Sequence, residues 1–176
     1  ELARALAAPL FVSTTSRLLI DLNRSVGHPR LYSEATRGAP LALRREILEK
    51  YYLPYRNRVE THIGKAIARG KRVIHISSHS FTPVLDGAIR NADIGLLYDP
   101  ARSGEIELCR RWQTELRARA PALKVRHNYP YSGTSDGFPA YLPRRFPPDA
   151  YIRIELELNK KHVFSGRRAW RALRSQ

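Results

Sequence analysis

The sequence predicts an α/β fold: one sheet with helices on both faces, in a single domain over residues 1–176. Three observations carry this. Short apolar, strand-like runs (72–77, RVIHIS; 93–98, DIGLLY; 151–158, YIRIELEL) alternate with helix-periodic segments at 41–69 and 103–119, the pattern of a sheet built with helical crossovers. The chain has 176 residues, 43% hydrophobic and 27% charged, enough apolar side chains for one core of domain size. No internal repeat or break in composition marks a second domain.

Taken in order, residues 1–8 read as the end of a helix and Pro9 to Thr14 (PLFVST) as a short buried strand. Residues 16–24 (SRLLIDLNR) are apolar in the middle and polar at both ends. Residues 25–40, rich in Gly, Pro and Ser, form a long loop. Over 41–69, Leu43, Ile47, Tyr51, Tyr55, Val59 and Ile63 recur every four residues, the stripe of an amphipathic helix. Pro54 should kink or split it near Leu53, and Gly70 fits its C-cap. The Tyr51/Tyr52/Tyr55 cluster reads as a packing face. Residues 103–119 read as a helix with Ser103 as N-cap and with Glu105 and Glu107 in its first turn. Its apolar face carries Cys109, Trp112 and Leu116, so Cys109 is a packed thiol. Leu123 to Arg126 is a short strand and Asn128 to Phe138 a Gly- and Tyr-rich loop. In YIRIELEL the period of two puts Glu155 and Glu157 on one face and Ile154, Leu156 and Leu158 on the other. A terminal helix is expected from Ser165 onward.

Lys and Arg number 31 against 16 Asp and Glu, a net charge of +15. The basic residues are spread along the chain in short doublets, without the zinc-finger spacing or aromatic motif of a nucleic-acid binder. A solvated basic surface, or a field that draws in small anions, fits better. A single cysteine excludes an intrachain disulfide framework and a Cys-based zinc knuckle. No apolar run approaches the ~20 residues that span a bilayer, and ELARALAAPLF lacks the parts of a signal peptide. A cytoplasmic protein is expected. The chain has no methionine, not even an initiator, and it opens in helix-like sequence with no capping residue ahead of it. Both facts suggest that an N-terminal segment is missing, or that methionines were lost from the sequence as written.

Three features could carry chemistry. VIHISSHSF runs a strand into Ser-His-Ser-Phe, and in open α/β sheets functional groups gather at strand C-termini. His79 is therefore a candidate ligand just past a strand end, while His75 reads as a core or sheet-face histidine. Glu155 and Glu157 on one face of an otherwise apolar strand suit a general base, or equally a face paired with arginines. SRLLIDLNR brings Arg17, Asp21, Asn23 and Arg24 together, groups that grip carboxylates.

Asp-Leu-Asn-Arg, then His-Ser-Phe after a strand, then a late strand with Glu-Leu, occur in the order seen in zinc carboxypeptidases. The chain resembles more closely the N-formylglutamate amidohydrolase family. The resemblance rests on SRLLIDLNR (16–24), HSFTPVLDG (79–87), DIGLLYDP (93–100), NYPYSGTSDG (128–137) and IELELN (154–159). It covers residues 1 to about 160. It implies a three-layer α/β/α sandwich with a mixed, mostly parallel sheet of the zinc-exopeptidase kind. It also implies a zinc-dependent amidohydrolase that cleaves N-formylglutamate or a related N-acyl amino acid, in amino-acid degradation. By position, His79 resembles the family's zinc ligand, Glu157 the general base with Glu155 second, and Asn23 and Arg24 the carboxylate clamp with Arg17 as helper. Asn128, Tyr131, Gly133 and Asp136 lie in a loop similar to the family's substrate-covering segment.

One departure matters. The family's first two metal ligands, a His in a PHSG- or DHAG-like turn and an acidic residue after it, precede the DLNR motif. Residues 1–15 supply neither, Glu1 being their only carboxylate. His28, His62, His127 and His162 have no spacing that would replace them. Either a segment before residue 1 completes a one-zinc site, or the chain is a metal-free, basic relative that binds an anionic ligand or nucleic acid.

Overall fold

The computed structural model of the chain describes residues 1–166. The apolar, β-rich runs pair as the patterning requires. β1 (Val73–Phe81), β4 (Ile94–Leu97), β5 (Val125–His127) and β6 (Tyr151–Asn159) form one sheet in the order β1-β6-β4-β5, with the short β2 (Val84–Leu85) and β3 (Ala88–Ile89) in a separate hairpin. The sheet is mixed. β4 is parallel to β5, with Gly95 beside Arg126, and antiparallel to β6, with Gly95 opposite Glu157 and Leu97 opposite Glu155. The fold is α/β, as the sequence predicts.

The period of two decides what each face of the sheet does. Ile94 and Leu96 of β4, Ile154 and Leu156 of β6 and Val125 of β5 are buried with Cys109 and Leu116 of α4 (Ser103–Arg119), with Ile76, Trp112 and Leu158 packed alongside. Residues of the other parity, Arg153, Glu155 and Glu157, take the opposite face of β6. Cys109 is fully enclosed and burial pushes its thiol up to about 12, which agrees with a packed thiol.

Backbone contacts divide the chain into two compact units, Glu1–Val73 with Asp136–Phe146, and Ile74–Ser135 with Pro147 onward. The first holds α1 (Leu2–Ala5), α2 (Leu41–Ile47), α3 (Leu53–Ile67) and α5 (Phe138–Tyr141). Between α2 and α3, Leu48–Tyr52 is π-helical. Pro54 has no N–H to donate, and the chain accommodates it by widening the preceding turn rather than by breaking. The core of this unit is Ile20, Leu31, Ile47 and Tyr52, so SRLLIDLNR folds onto the helices through its own Ile20.

Four expectations need correction. PLFVST is an exposed segment with no regular secondary structure, with Leu10 71% and Val12 60% exposed. Pro9 removes one N–H, and no strand among the described residues lies beside it. β1 runs on through Ser80 to Phe81, so His79 lies inside the strand near its end, not just beyond it. Arg102, not Ser103, is the N-cap of α4. The cap of α3 is Ala68, and Gly70 supplies the left-handed residue (φ +72°) of the turn that follows. α6 (Lys161–Phe164) precedes the expected terminal helix, which lies outside the described residues beyond Gly166.

Candidate active site

In the second unit, the side chains that face away from α4 build a polar cluster on β1 and β6. His79 Nε2 lies 3.0 Å from the Ser77 hydroxyl and 4.0 Å from Glu155 Oε2. The sequence therefore brought the histidine to the glutamate face, and Glu155 is the carboxylate it meets there. Glu155 is 8% and Glu157 5% exposed. Glu157 stands opposite Gly95, where a Cβ would come within 1.9 Å of the Tyr129 carbonyl oxygen. Only glycine lets the chain at Tyr129 approach β4 that closely.

The residue the sequence reading missed is Arg153. It is 2% exposed and its Nη1 donates to Glu155 Oε1 at 3.2 Å. Behind it Glu105, also fully buried, accepts from the Asp99 N–H at 2.8 Å and pairs with Arg102 Nε at 3.0 Å. Burial raises the Glu105 carboxyl above its usual range despite these partners. His75, four residues before His79, shares Nδ1 with the Tyr151 hydroxyl at 2.8 Å. Burial, then the charge of Arg153, then His79 push it down to about 4, so it is neutral at pH 7.

The Asn128–Phe138 loop shows how its residues work. Asn128, at φ +47°, accepts the N–H groups of Tyr98 and Gly133 on one side-chain oxygen, each at 3.1 Å. Gly133 has no room for a side chain, since a Cβ would meet the Tyr98 backbone at 2.2 to 2.5 Å. Tyr131 is 42% exposed and its hydroxyl accepts from Arg90 Nη1 at 2.9 Å.

In the first unit, Arg24 Nη1 donates to the Asp136 carbonyl at 2.9 Å, and its Nε lies 3.9 Å from Asp21. The Asn23 side-chain oxygen accepts the Phe138 N–H at 2.9 Å. Asp136 accepts from the Ser25 hydroxyl at 2.5 Å and from its N–H at 3.1 Å. Burial works to raise this carboxyl, but the Ser25 hydrogen bonds, His28 and Arg24 outweigh it and hold it below its ordinary range. Arg17 is exposed, with Nε 3.9 Å from Asp21. Arg24, Asn23 and Asp136 thus meet in one cluster, and Arg17 reaches it through Asp21.

A catalytic zinc takes three protein ligands and keeps one open position. Among the described residues no group of three or more His, Cys, Asp or Glu side chains could hold a metal ion. The Arg153 guanidinium pairs with Glu155 at 3.2 Å, a cation beside the carboxylate that approaches His79. Residues 167–176 contain no residue of these four types. The ligand set of this chain alone does not fit a catalytic zinc. No helix among the described residues is long and apolar enough to cross a membrane.

The family model for N-formylglutamate amidohydrolase matches residues 1–163. A crystal structure of a gene product from Agrobacterium tumefaciens is similar, with a TM-score of 0.67 and 27% sequence identity. The match covers 84% of this chain and 59% of that one, so the chain spans less than two thirds of its structural relative's length. No curated protein matches the chain.

Proposed function

Because the chain belongs to the N-formylglutamate amidohydrolase family, we propose that it hydrolyses a linear amide C–N bond, that of an N-formyl or other N-acyl amino acid, with N-formylglutamate foremost. The products are formate, or the corresponding acid, and the free amino acid. The observation that carries this reading is the match over residues 1–163, which takes in the buried carboxylates Glu155 and Glu157 of β6.

The residues divide the work as follows. Glu157 takes a proton from the attacking water, whose oxygen bonds to the acyl carbon. The same proton passes to the departing nitrogen as the C–N bond breaks. Glu155, beside His79 and Arg153, is second in line for that role. Arg24, with the NH2 of Asn23 and with Arg17, binds substrate carboxylate. Asn128, Tyr131, Gly133 and Asp136 belong to substrate recognition. Zinc enters the proposal only as the family's metal, with His79 as one ligand; the described residues offer no group of three ligands, and no step above passes through a metal.

Formate release from N-formylglutamate tests the reading. Glu157→Gln should lower kcat by about 10²-fold or more, the usual scale for a lost general base, and Glu155→Gln by less. Unchanged turnover in Glu157→Gln removes that residue from the role. The second reading is a metal-free binder of anions, which the incomplete ligand set and the +15 charge favour. Silence in the formate assay, together with salt-dependent affinity for an oligonucleotide, would favour it.

A further inference from the structure

Arg153 contacts three different parts of the second unit at once. Nη1 donates to Glu155, Nη2 donates to the Gly133 carbonyl, and Nε faces Glu105 at 3.9 Å. The carboxylate behind it is itself fixed. Glu105 is held by the Asp99 N–H, by Arg102 and by the N–H of Arg153 at 3.4 Å. The guanidinium is planar and nearly fully enclosed, and its Nε makes no hydrogen bond among the described residues, so the two Nη contacts fix its orientation. One arm ends on Glu155, whose other oxygen lies 4.0 Å from His79. The other arm ends on a backbone carbonyl of a loop. Two carboxylates, Glu105 and Glu155, already match the two guanidinium groups of Arg102 and Arg153. The Gly133 contact is therefore not needed to neutralise charge, and its consequence is geometric.

The loop end of the contact is equally constrained. Gly133 sits against the Tyr98 backbone with no space for a Cβ, and its N–H is held by Asn128. Gly133 is thus held at both of its backbone polar groups, by Asn128 at the loop's own start on its N–H and by Arg153 of β6 on its carbonyl. We propose that Arg153 is a positioning residue that couples the 128–135 loop to Glu155, so that one side chain sets both the order of the loop and the aim of the carboxylate toward His79. Its effect on turnover rests on the amide hydrolysis proposed above; the coupling itself does not.

Amide hydrogen exchange of the 176-residue chain, read by mass spectrometry, tests the coupling without any substrate. Arg153→Lys keeps the charge but cannot reach Glu155 and Gly133 together. Peptides covering 128–135 should exchange roughly tenfold faster or more, the scale of one charge-assisted hydrogen bond, while β4 keeps its wild-type protection. Glu155→Gln, which weakens the grip on one arm only, should fall between the two. Loop exchange unchanged in Arg153→Lys overturns the proposal, as does an increase spread evenly over β4 and the loop, which would mark general destabilisation. Arg153→Met, if it folds, should exceed the lysine variant in the loop. With N-formylglutamate as probe, Arg153→Lys should lower kcat about tenfold or more. A normal kcat with a loosened loop overturns the positioning of Glu155. A wild-type chain that releases no formate defeats the hydrolase reading, while the exchange result still decides the coupling.

Discussion

Arg56 shows at the residue scale how a candidate anion clamp is held. It is 6% exposed, and its guanidinium lies over the rings of Phe138 (4.2 Å), Tyr52 (4.9 Å) and Tyr141 (5.2 Å). From there Nη1 donates to the carbonyls of Arg24, at 3.0 Å, and Leu22, at 3.4 Å, and the Tyr52 hydroxyl donates to the same Arg24 carbonyl at 2.7 Å. An ammonium cannot lie flat on three rings and reach two carbonyls. Arg56→Lys should therefore cost about 1–3 kcal/mol in urea unfolding. If Arg24 grips the substrate carboxylate, the variant should also raise KM about tenfold with less change in kcat, the mark of lost ground-state binding. A KM equal to wild type in a destabilised variant would separate Arg56 from the clamp. The parity of β6 already placed Glu155 and Glu157 together, and the strand before His79 aimed it at that face. Arg153 shares their parity, yet in a chain with 31 Lys and Arg nothing local distinguishes a buried arginine from a solvated one. Glu105 lies in the first turn of α4, as its spacing predicts, but nothing local foretold that the turn at Asp99 would bring an N–H back onto it and bury it.

At the scale of elements, the strands and long helices were legible because each buries a stripe that its period exposes in the sequence. What failed were segments whose state depends on a neighbour far along the chain. PLFVST is apolar enough for a strand but has no sheet partner among the described residues. Ser78 to Ser80 is too polar to read as a strand, yet it stays in β1. The β2–β3 hairpin carried a clear signal that went unused: Asp86 and Gly87 both take positive φ, +50° and +76°, as a two-residue hairpin turn requires. The fit of the 128–135 loop to β4 was also invisible, because it depends on missing side chains. Gly95→Ala would place a Cβ 1.9 Å from the Tyr129 oxygen and force the loop away from β4. Overpacking of this kind costs about 1–3 kcal/mol, and formate release should fall with it. Gly38→Ala, with open space around it and ordinary φ, is the control and should leave the unfolding midpoint unchanged. Equal midpoints for the two variants would show that the loop yields without cost.

At the scale of the whole molecule, the +15 charge and a buried network of charged and polar groups pull on stability as pH changes. His75 decides the first part of that dependence. Its half-buried imidazole is pushed from 6.5 down to about 4 by burial, then by the charge of Arg153 and by His79, whereas in the unfolded chain it protonates at its ordinary value. Between these two values the unfolded chain binds a proton that the folded one refuses, so stability is full above about 6.5 and is lost as pH falls toward 4. The loss amounts to about 3 kcal/mol at most, from the size of the shift, and it stops once both states are protonated. Asp93 acts at lower pH. Burial works to raise its carboxyl, but Lys161 at 2.6 Å, the Lys124 N–H at 2.7 Å and His162 at 2.6 Å outweigh it and hold it below 3.8. Its contribution is present above that value and is lost as pH falls through the folded one. Urea midpoints measured from pH 7 to pH 3 should decline for the wild type in two stages. His75→Gln should flatten the stage between 6.5 and 4, and Asp93→Asn the stage below it, at the cost of about 1–3 kcal/mol at neutral pH. A wild-type midpoint constant from pH 7 to pH 4 would show that His75 takes up its proton in the folded chain as readily as in water, against its burial and the nearby charge of Arg153.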